Sequence, residues 1–389
     1  MRGRRGREPV SKPLAGRRIR ILGTRGVPNA HSGFEAFAEA LAPYLVERGW
    51  DVVVYCQEDA ATWTSPDADE SVWRGVRRVH IPIQQAGPLG TIVFDWRCTL
   101  HALRDPLGGT ALVLGYNTAL FSLLYKLRGV KSVMNMDGIE WRRAKWGPLE
   151  RLWFFVNEWL GCLLSDHLIA DHPAIALRLE RRRRVAARRI SMIPYGAREV
   201  RSASTTALRP LGLAGRRYAL VIARPEPENS ILEIVRAFSR RRRDCALVVV
   251  GPYGRDVKYQ RRVLEAASDE VLFPGPIFDH PTVDALRLFA CLYVHGHTVG
   301  GTNPSLVEAL GAGLPVLARD NEFNRWVAAG AGHYFRDEDE CERQFSALLA
   351  PQSAGSLDGL RAAARARHAE AFTPPRVLDE YAQLLASVS

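Results

Sequence analysis

The stretch Tyr293 to Ala318, YVHGHTVGGTNPSLVEALGAGLPVLA, decides how the chain reads. Tyr293 and Val294 close an apolar run of the kind that forms a buried strand. His295 to Gly301 carries three glycines and reads as a loop. Asn303 is a good N-cap, and Pro304 suits the first helical position, whose N–H has no partner in any case. Gly311 and Gly313 end the helix, and Pro315 to Ala318 reads as a second buried strand. A flexible loop feeding a helix N-terminus makes an anion site, because free N–H groups and the positive end of the helix dipole face whatever sits there. Glu308 lies about one turn further in. A carboxylate there suits sugar hydroxyls, whose hydrogen bonds it accepts, and not phosphate. Anion site plus hydroxyl acceptor describes a nucleotide sugar; a plain β–α–β turn without ligand is the other reading.

The same alternation extends in both directions. Arg18 to Gly23 reads as the first strand, running into GTRGVPNAHSGFEAFAEALAPYLVERG, a glycine-rich loop and a helix. This is the first βα turn of a Rossmann-like domain, but it lacks both GxGxxG spacing and the acidic residue of a dinucleotide site, which disfavours a dehydrogenase. Further strands are expected at 51–55, 79–83, 111–115, 132–136, 167–171 and 190–194. Two of them end in polar residues, Tyr116-Asn117-Thr118 and Asp137-Gly138-Ile139-Glu140-Trp141, at the sheet edge where ligands bind in open α/β sheets. Asp137 and Glu140 read either as hydroxyl-binding groups or as strand-end caps, and Glu35 either as a site residue or as a first-turn acid favoured by the dipole. After an aperiodic stretch the alternation restarts at Tyr218. The expected division is a basic tail at 1–17, a Rossmann-like domain at 18–197, a linker at 198–216, a second such domain at 217–372, and a helix at 373–389 that crosses back to the first. The fold class is α/β, two Rossmann-like domains facing across a cleft.

Composition sets the outer limits. The 389 residues suffice for two domains, and 47% hydrophobic against 24% charged residues makes a globular chain with ample core. Six scattered cysteines without a CxxC pair suit buried thiols in a reducing cytoplasm, with neither a disulfide frame nor a zinc site. No signal-peptide pattern and no apolar run of about 20 residues is present, so a cytoplasmic protein is expected. The net charge of +11 comes almost wholly from arginine. It reflects either codon preference or attraction to anionic lipid or phosphate. A nucleic-acid partner is not expected, because the runs Arg181–Arg184 and Arg240–Arg243 lack interleaved aromatics and look like solvated helix ends. The segment from Trp141 through ERLWFFVNEWLGCLL mixes aromatics, leucines and basic residues; it reads as a core helix or as a surface resting on an anionic membrane. His295 and His297 form an HxH pair with no third ligand at matching spacing, so no metal is expected.

GGTNPSLVEALGAGLPVLA resembles the donor-binding segment of GT-B glycosyltransferases of family 4, the "glycosyl transferases group 1" class. The longer pattern HGHxxGGTNPSLxEA, with GTRGVPxxxSGFE and MDGIEWxRxKW, resembles their bacterial β-1,4-rhamnosyltransferase subgroup. The resemblance covers about residues 18 to 385. It implies a GT-B fold and a retaining transfer without a metal cofactor, with a nucleotide sugar, dTDP-L-rhamnose above others, as co-substrate. The implied acceptor is a lipid-diphosphate-linked saccharide of surface-polysaccharide assembly, used at the inner face of the plasma membrane. Glu308 matches the ribose-binding glutamate. Arg224, in ARPEPENSI, matches the arginine that holds the diphosphate. Three positions depart: Gly300 stands where the family has a first glutamate, Asn229 where it has a lysine, and Asp137 where many members have a sugar-contacting histidine. A 6-deoxy sugar lacks the hydroxyl such a histidine would contact, which agrees with rhamnose.

The candidate catalytic residues are therefore Arg224, Asp137 and Glu140. The candidate donor-binding residues are Arg25, Gly26, Arg224, Asn229, His297, Gly300, Gly301, Thr302, Asn303, Pro304, Ser305 and Glu308. On the acceptor side stand Ser32, Gly33, Glu35, Asn117 and Trp141. Two other classes compete: a GT-B enzyme using a UDP- or GDP-hexose, or an epimerase; and a basic nucleic-acid-binding protein.

Overall fold

Short apolar runs, each followed by a helix that covers one face, assemble into parallel strands buried on both sides. The computed structural model describes residues 17–28, 33–63, 70–85, 87–104, 109–143 and 145–389. The expected basic tail lies outside them except for Arg17, and Ser32 lies outside them as well. Two sheets result. The first holds β1 (Arg18–Leu22), β2 (Asp51–Asp59), β3 (Glu70–Trp73), β4 (Val76–Ile83), β5 (Thr110–Leu114), β6 (Lys131–Asn135), β7 (His167–Ala170) and β8 (Ile190–Met192), in the order β3-β4-β2-β1-β5-β6-β7-β8. The second holds β9 (Tyr218–Ile222), β10 (Ala246–Val250), β11 (Val271–Leu272), β12 (Leu292–His295), β13 (Val316–Arg319) and β14 (Gly332–Phe335), in the order β11-β10-β9-β12-β13-β14. All described pairings are parallel except the β3–β4 hairpin.

Each sheet reverses its winding once, between β1 and β5 in the first and between β9 and β12 in the second. Ligands in such sheets bind beyond the carboxyl ends of the strands at that reversal. Those ends carry Gly23 to Gly26, Gly115 to Thr118, Ala223-Arg224 and Gly296 onward.

The chain's last helix, Pro374–Val388, belongs to the first core. Val377, Leu378, Tyr381 and Leu385 pack with Ile19, Ile21, Leu41 and Leu45, and Tyr381 Oη accepts a hydrogen bond from Asn135 Nδ2 at 2.8 Å. Residues 198–216, expected as a linker, are packed onto the second domain: Leu208 and Leu213 join its core, and the Val200 N–H donates to the Gly311 carbonyl at 3.0 Å. Two widely spaced leucines anchor this segment without setting a period, so its burial left no periodic signal. The β3–β4 hairpin and the helix Gly87–Arg104 were also not anticipated; the hairpin turns on Arg74-Gly75, both at positive φ, without the usual Asn-Gly signal. The arginine runs are only partly solvated. Arg183 pairs with buried Glu158, and Arg243 lies over Phe238 and Phe345 while pairing with Glu342. All six cysteines are free.

Candidate functional site

The strand ends of both sheets meet in one cavity of about 740 Å³. Its first-domain wall carries Arg25, Tyr116, Asn117, Asp137, Glu140, Arg143, Lys145, Trp146 and Trp153, and Arg224 reaches it from the second domain. Four cationic side chains thus face a common space with three carboxylates, Glu150 and the strand-end pair Asp137 and Glu140.

The strand-end pair is fixed by its own backbone. Asp137 sits at φ 47, and its N–H donates to Asn135 Oδ1 at 2.8 Å. Burial and the neighbouring Glu140 raise the Asp137 pKa. The Glu140 N–H donates to Tyr116 Oη at 2.8 Å. Its carboxylate takes Arg143 Nε at 2.6 Å and Trp146 Nε1 at 3.3 Å. Arg143 also reaches across the cleft, with Nη1 3.6 Å from Glu228 of the second domain. Partial desolvation, with Arg143 and Arg224 facing it, holds the Lys145 ammonium below its usual pKa despite the pull of Glu140.

The glycine-rich loop closes the cleft from the second domain. The His297 ring stacks on His295 at 4.2 Å and 6°. Burial, with Arg143 and Arg224 facing it, pushes the His297 pKa down to about 3, so the ring is neutral. The His297 carbonyl is held by Asn321 Nδ2 and Asn324 Nδ2, both at 2.9 Å. Gly300 runs beside Gly138 of the first domain, where a Cβ on Gly138 would stand 3.1 Å from the Gly300 Cα. A Cβ on Gly301 would meet the Asp171 carboxylate at 2.1 Å, so only glycine permits this approach. The Thr302 N–H donates to Asp171 Oδ2 at 2.8 Å, and its hydroxyl donates to the Asp171 carbonyl. The helix Pro304–Gly311 then begins, with Asn303 Oδ1 accepting from the Ser305 N–H at 3.1 Å.

Several expected site residues stand elsewhere in the geometry. Thr302 is buried and spends both donors on Asp171, so it offers none to an anion; its partner is far away in sequence. Asn229 Nδ2 donates to the Arg224 carbonyl at 2.8 Å; the side chain is buried and shapes the Arg224 loop instead of facing the cavity. Trp141 turns away, donating from Nε1 to Glu158 at 2.5 Å, and Trp146 and Trp153 take the cavity wall in its place. The short helical turn Glu140–Arg142 sets that orientation. Glu35 accepts from the Arg25 N–H at 2.9 Å and holds the loop that carries Arg25. Gly26 backs onto Cys56 behind the cavity wall, and Gly33 precedes the helix Phe34–Glu47. Glu308 is half-exposed and paired with Arg287 from the helix His280–Phe289.

Sequence reasoning missed Asp171, Arg143 and Lys145. Asp171 follows β7 as Asp137 follows the end of β6, and that parallel was the available signal. Arg143 and Lys145 lie within MDGIEWxRxKW, at positions given no role. No cluster of three or more His, Cys, Asp or Glu suited to a metal occurs among the described residues.

Solved structures share this architecture along nearly the whole chain. Sucrose-phosphate synthase from Thermosynechococcus elongatus superposes with a TM-score of 0.76 at 19% identity, over 95% of this chain and 98% of that one. The Anabaena protein HepE, solved with UDP-glucose, gives 0.72 at 14%, over 95% and 99%. The α,α-trehalose 6-phosphate synthase from Burkholderia multivorans gives 0.70 at 13%, over 96% and 97%. The fold is GT-B. Residues 16–198, in the GT-B first domain, match the family described as a domain of unknown function, DUF1972. No curated protein sequence matches the chain.

Proposed function

We propose that this GT-B protein is a glycosyltransferase of the family 4 type that moves a sugar from a nucleoside diphosphate to an acceptor hydroxyl. The observation that carries the reading is the convergence of Arg25, Arg143, Lys145 and Arg224 on the cavity that holds Asp137 and Glu140. Guanidiniums match phosphate oxygens in geometry as well as charge. Carboxylates beside them suit sugar hydroxyls. HepE, of the same fold, was solved with UDP and with UDP-glucose, which supports a nucleotide-sugar ligand here.

In the reaction the acceptor oxygen bonds to the anomeric carbon as the bond from that carbon to the diphosphate oxygen breaks. The diphosphate leaves with the electron pair, stabilised by Arg224, Arg143 and Lys145. The acceptor proton passes to a phosphate oxygen of the leaving group, in keeping with a retaining transfer. Closure of the two domains keeps water from the donor. Glu308 would hold the ribose after exchanging its contact with Arg287.

For the donor we propose dTDP-L-rhamnose, on the strength of Gly300 and Asp137 standing where related sequences carry larger sugar-contacting groups. For the acceptor we propose a saccharide on a lipid diphosphate, used at the cytoplasmic face of a membrane in surface-polysaccharide assembly. Donor turnover measured across dTDP-, UDP- and GDP-sugars, beside Arg224→Ala and Glu308→Ala, tests this reading. Turnover of dTDP-L-rhamnose alone, lost in both variants, is the expected result. Turnover of a different donor removes the rhamnose assignment. Binding of no donor at all removes the transferase.

A further inference from the structure

The helix Pro148–Leu164 begins at the cavity, where Leu149 and Trp153 form part of the wall. From Leu152 to its end, every exposed residue is apolar: Leu152, Phe155, Val156, Trp159 and Leu163. Leu152 is 58% exposed and Leu163 64%. These positions recur at spacings of three and four, so they form one stripe along the helix. The opposite face is fully used, with Phe154, Asn157, Glu158, Gly161 and Cys162 buried in the domain. Leu127, 73% exposed, and Leu123 extend the apolar surface from the adjoining helix Ser122–Leu127. Single exposed leucines are ordinary, but a helix face without a polar residue needs a partner.

Cations rim this stripe. Arg183, paired with buried Glu158, packs beneath the stripe, 4.8 Å over the Phe155 ring and 4.7 Å over Trp159, and the outer cations are Lys126, Arg189 and Arg151. Lys126 Nζ donates to the Leu163 carbonyl at 3.4 Å, and Arg189 Nη2 to the Cys162 carbonyl at 3.2 Å. Arg151 is exposed on the first turn. Of the nearby acids, Glu158 is buried under Arg178 and Arg183, and Asp166 faces Lys131. Glu150 stays at the cavity end. No described helix is long and apolar enough to cross a membrane.

We infer that this face seats on the surface of an anionic bilayer, with the stripe sunk among the lipid headgroups and the rim cations on lipid phosphates. An apolar helix face with an interfacial tryptophan and basic flanks has the chemistry of such a contact. A second copy of the chain fits less well, because two cation-rimmed faces repel. Docking in this pose places the cavity mouth beside the membrane. That consequence rests on the transferase reading; the docking itself does not.

Flotation of the full-length protein with phosphatidylcholine vesicles, with and without phosphatidylglycerol, tests the inference. Leu152→Gln/Leu163→Gln removes the stripe while keeping helix-favouring residues, and Lys126→Gln/Arg151→Gln removes two rim charges. The wild type is expected to float only with phosphatidylglycerol vesicles. The stripe variant should stay at the bottom of the gradient, and each lost charge should weaken partition about fivefold. Unchanged thermal unfolding and unchanged donor turnover in solution separate a docking failure from a folding failure or a failed transferase assignment. Absence of flotation by the wild type overturns the inference, as does flotation that neither variant alters. So does a wild-type dimer in sedimentation that the stripe variant abolishes.

Discussion

Arg143 belongs to the first domain by sequence and to both domains by contact. Its guanidinium bonds Glu140 on its own side and faces Glu228 on the other. Among the described residues that line the cavity, Arg224 is the cation from the second domain, and Arg143 and Lys145 face it from across the cleft. Arg143→Ala should therefore raise the donor KM by about tenfold or more, since a hydrogen bond to a charged group contributes roughly 1.5–3 kcal/mol. The kcat should fall less, and steady-state kinetics on the preferred donor would separate the two. An unchanged KM would place the diphosphate away from Arg143. At this scale the sequence is legible where a residue follows a strand. Arg25, Asn117, Asp137, Glu140 and Arg224 all do so, and all line the cavity. It is opaque where an orientation depends on one turn of backbone, which is why Trp141 and Trp146 could not be told apart. It is opaque too where the partner is distant, as with Thr302 and Asp171.

Among the elements, the loop expected at 295–301 is irregular from Gly296 onward, with His295 closing β12, and its helix is capped by Asn303, because both follow from local residue chemistry. The use of its N–H groups was not readable, since Asp171 arrives from another domain and takes the Thr302 donor. That carboxylate has a measurable consequence. Burial, with Asp137 nearby, pushes the Asp171 pKa up to about 8, against an ordinary value near 3.9 in the unfolded chain. Between those values the folded state holds the extra proton. Stability from this group is therefore complete at low pH, falls as pH rises from about 4 to about 8, and levels off above that. Asp171→Asn keeps an acceptor for the Thr302 N–H and cannot ionise. Its thermal stability relative to wild type should improve steadily from pH 5 to pH 8, by up to about 1.4 kcal/mol per pH unit. Melting curves that stay parallel across that range would show that Asp171 does not hold its proton.

For the whole molecule, several described contacts join the two domains across the cleft. Thr302 bonds Asp171, Gly300 passes Gly138, Arg143 faces Glu228, and the His172 ring meets Phe323 at 5.1 Å and Trp326 at 4.8 Å. Each domain has its own cores, so a steric wedge at the contact should part the domains without unfolding either. Gly301 is the place to insert one. A single Cβ there would stand 2.1 Å from an Asp171 carboxylate oxygen, closer than any real contact, and Asp171 is packed too tightly to move aside. Gly301→Val should give a larger radius of gyration in small-angle scattering and a circular dichroism spectrum like that of wild type. Donor turnover should fall about a hundredfold, as expected when reacting groups are displaced by an ångström or so. Scattering and turnover that both match wild type would mean that the contact between Gly301 and Asp171 does not hold the cleft closed in solution.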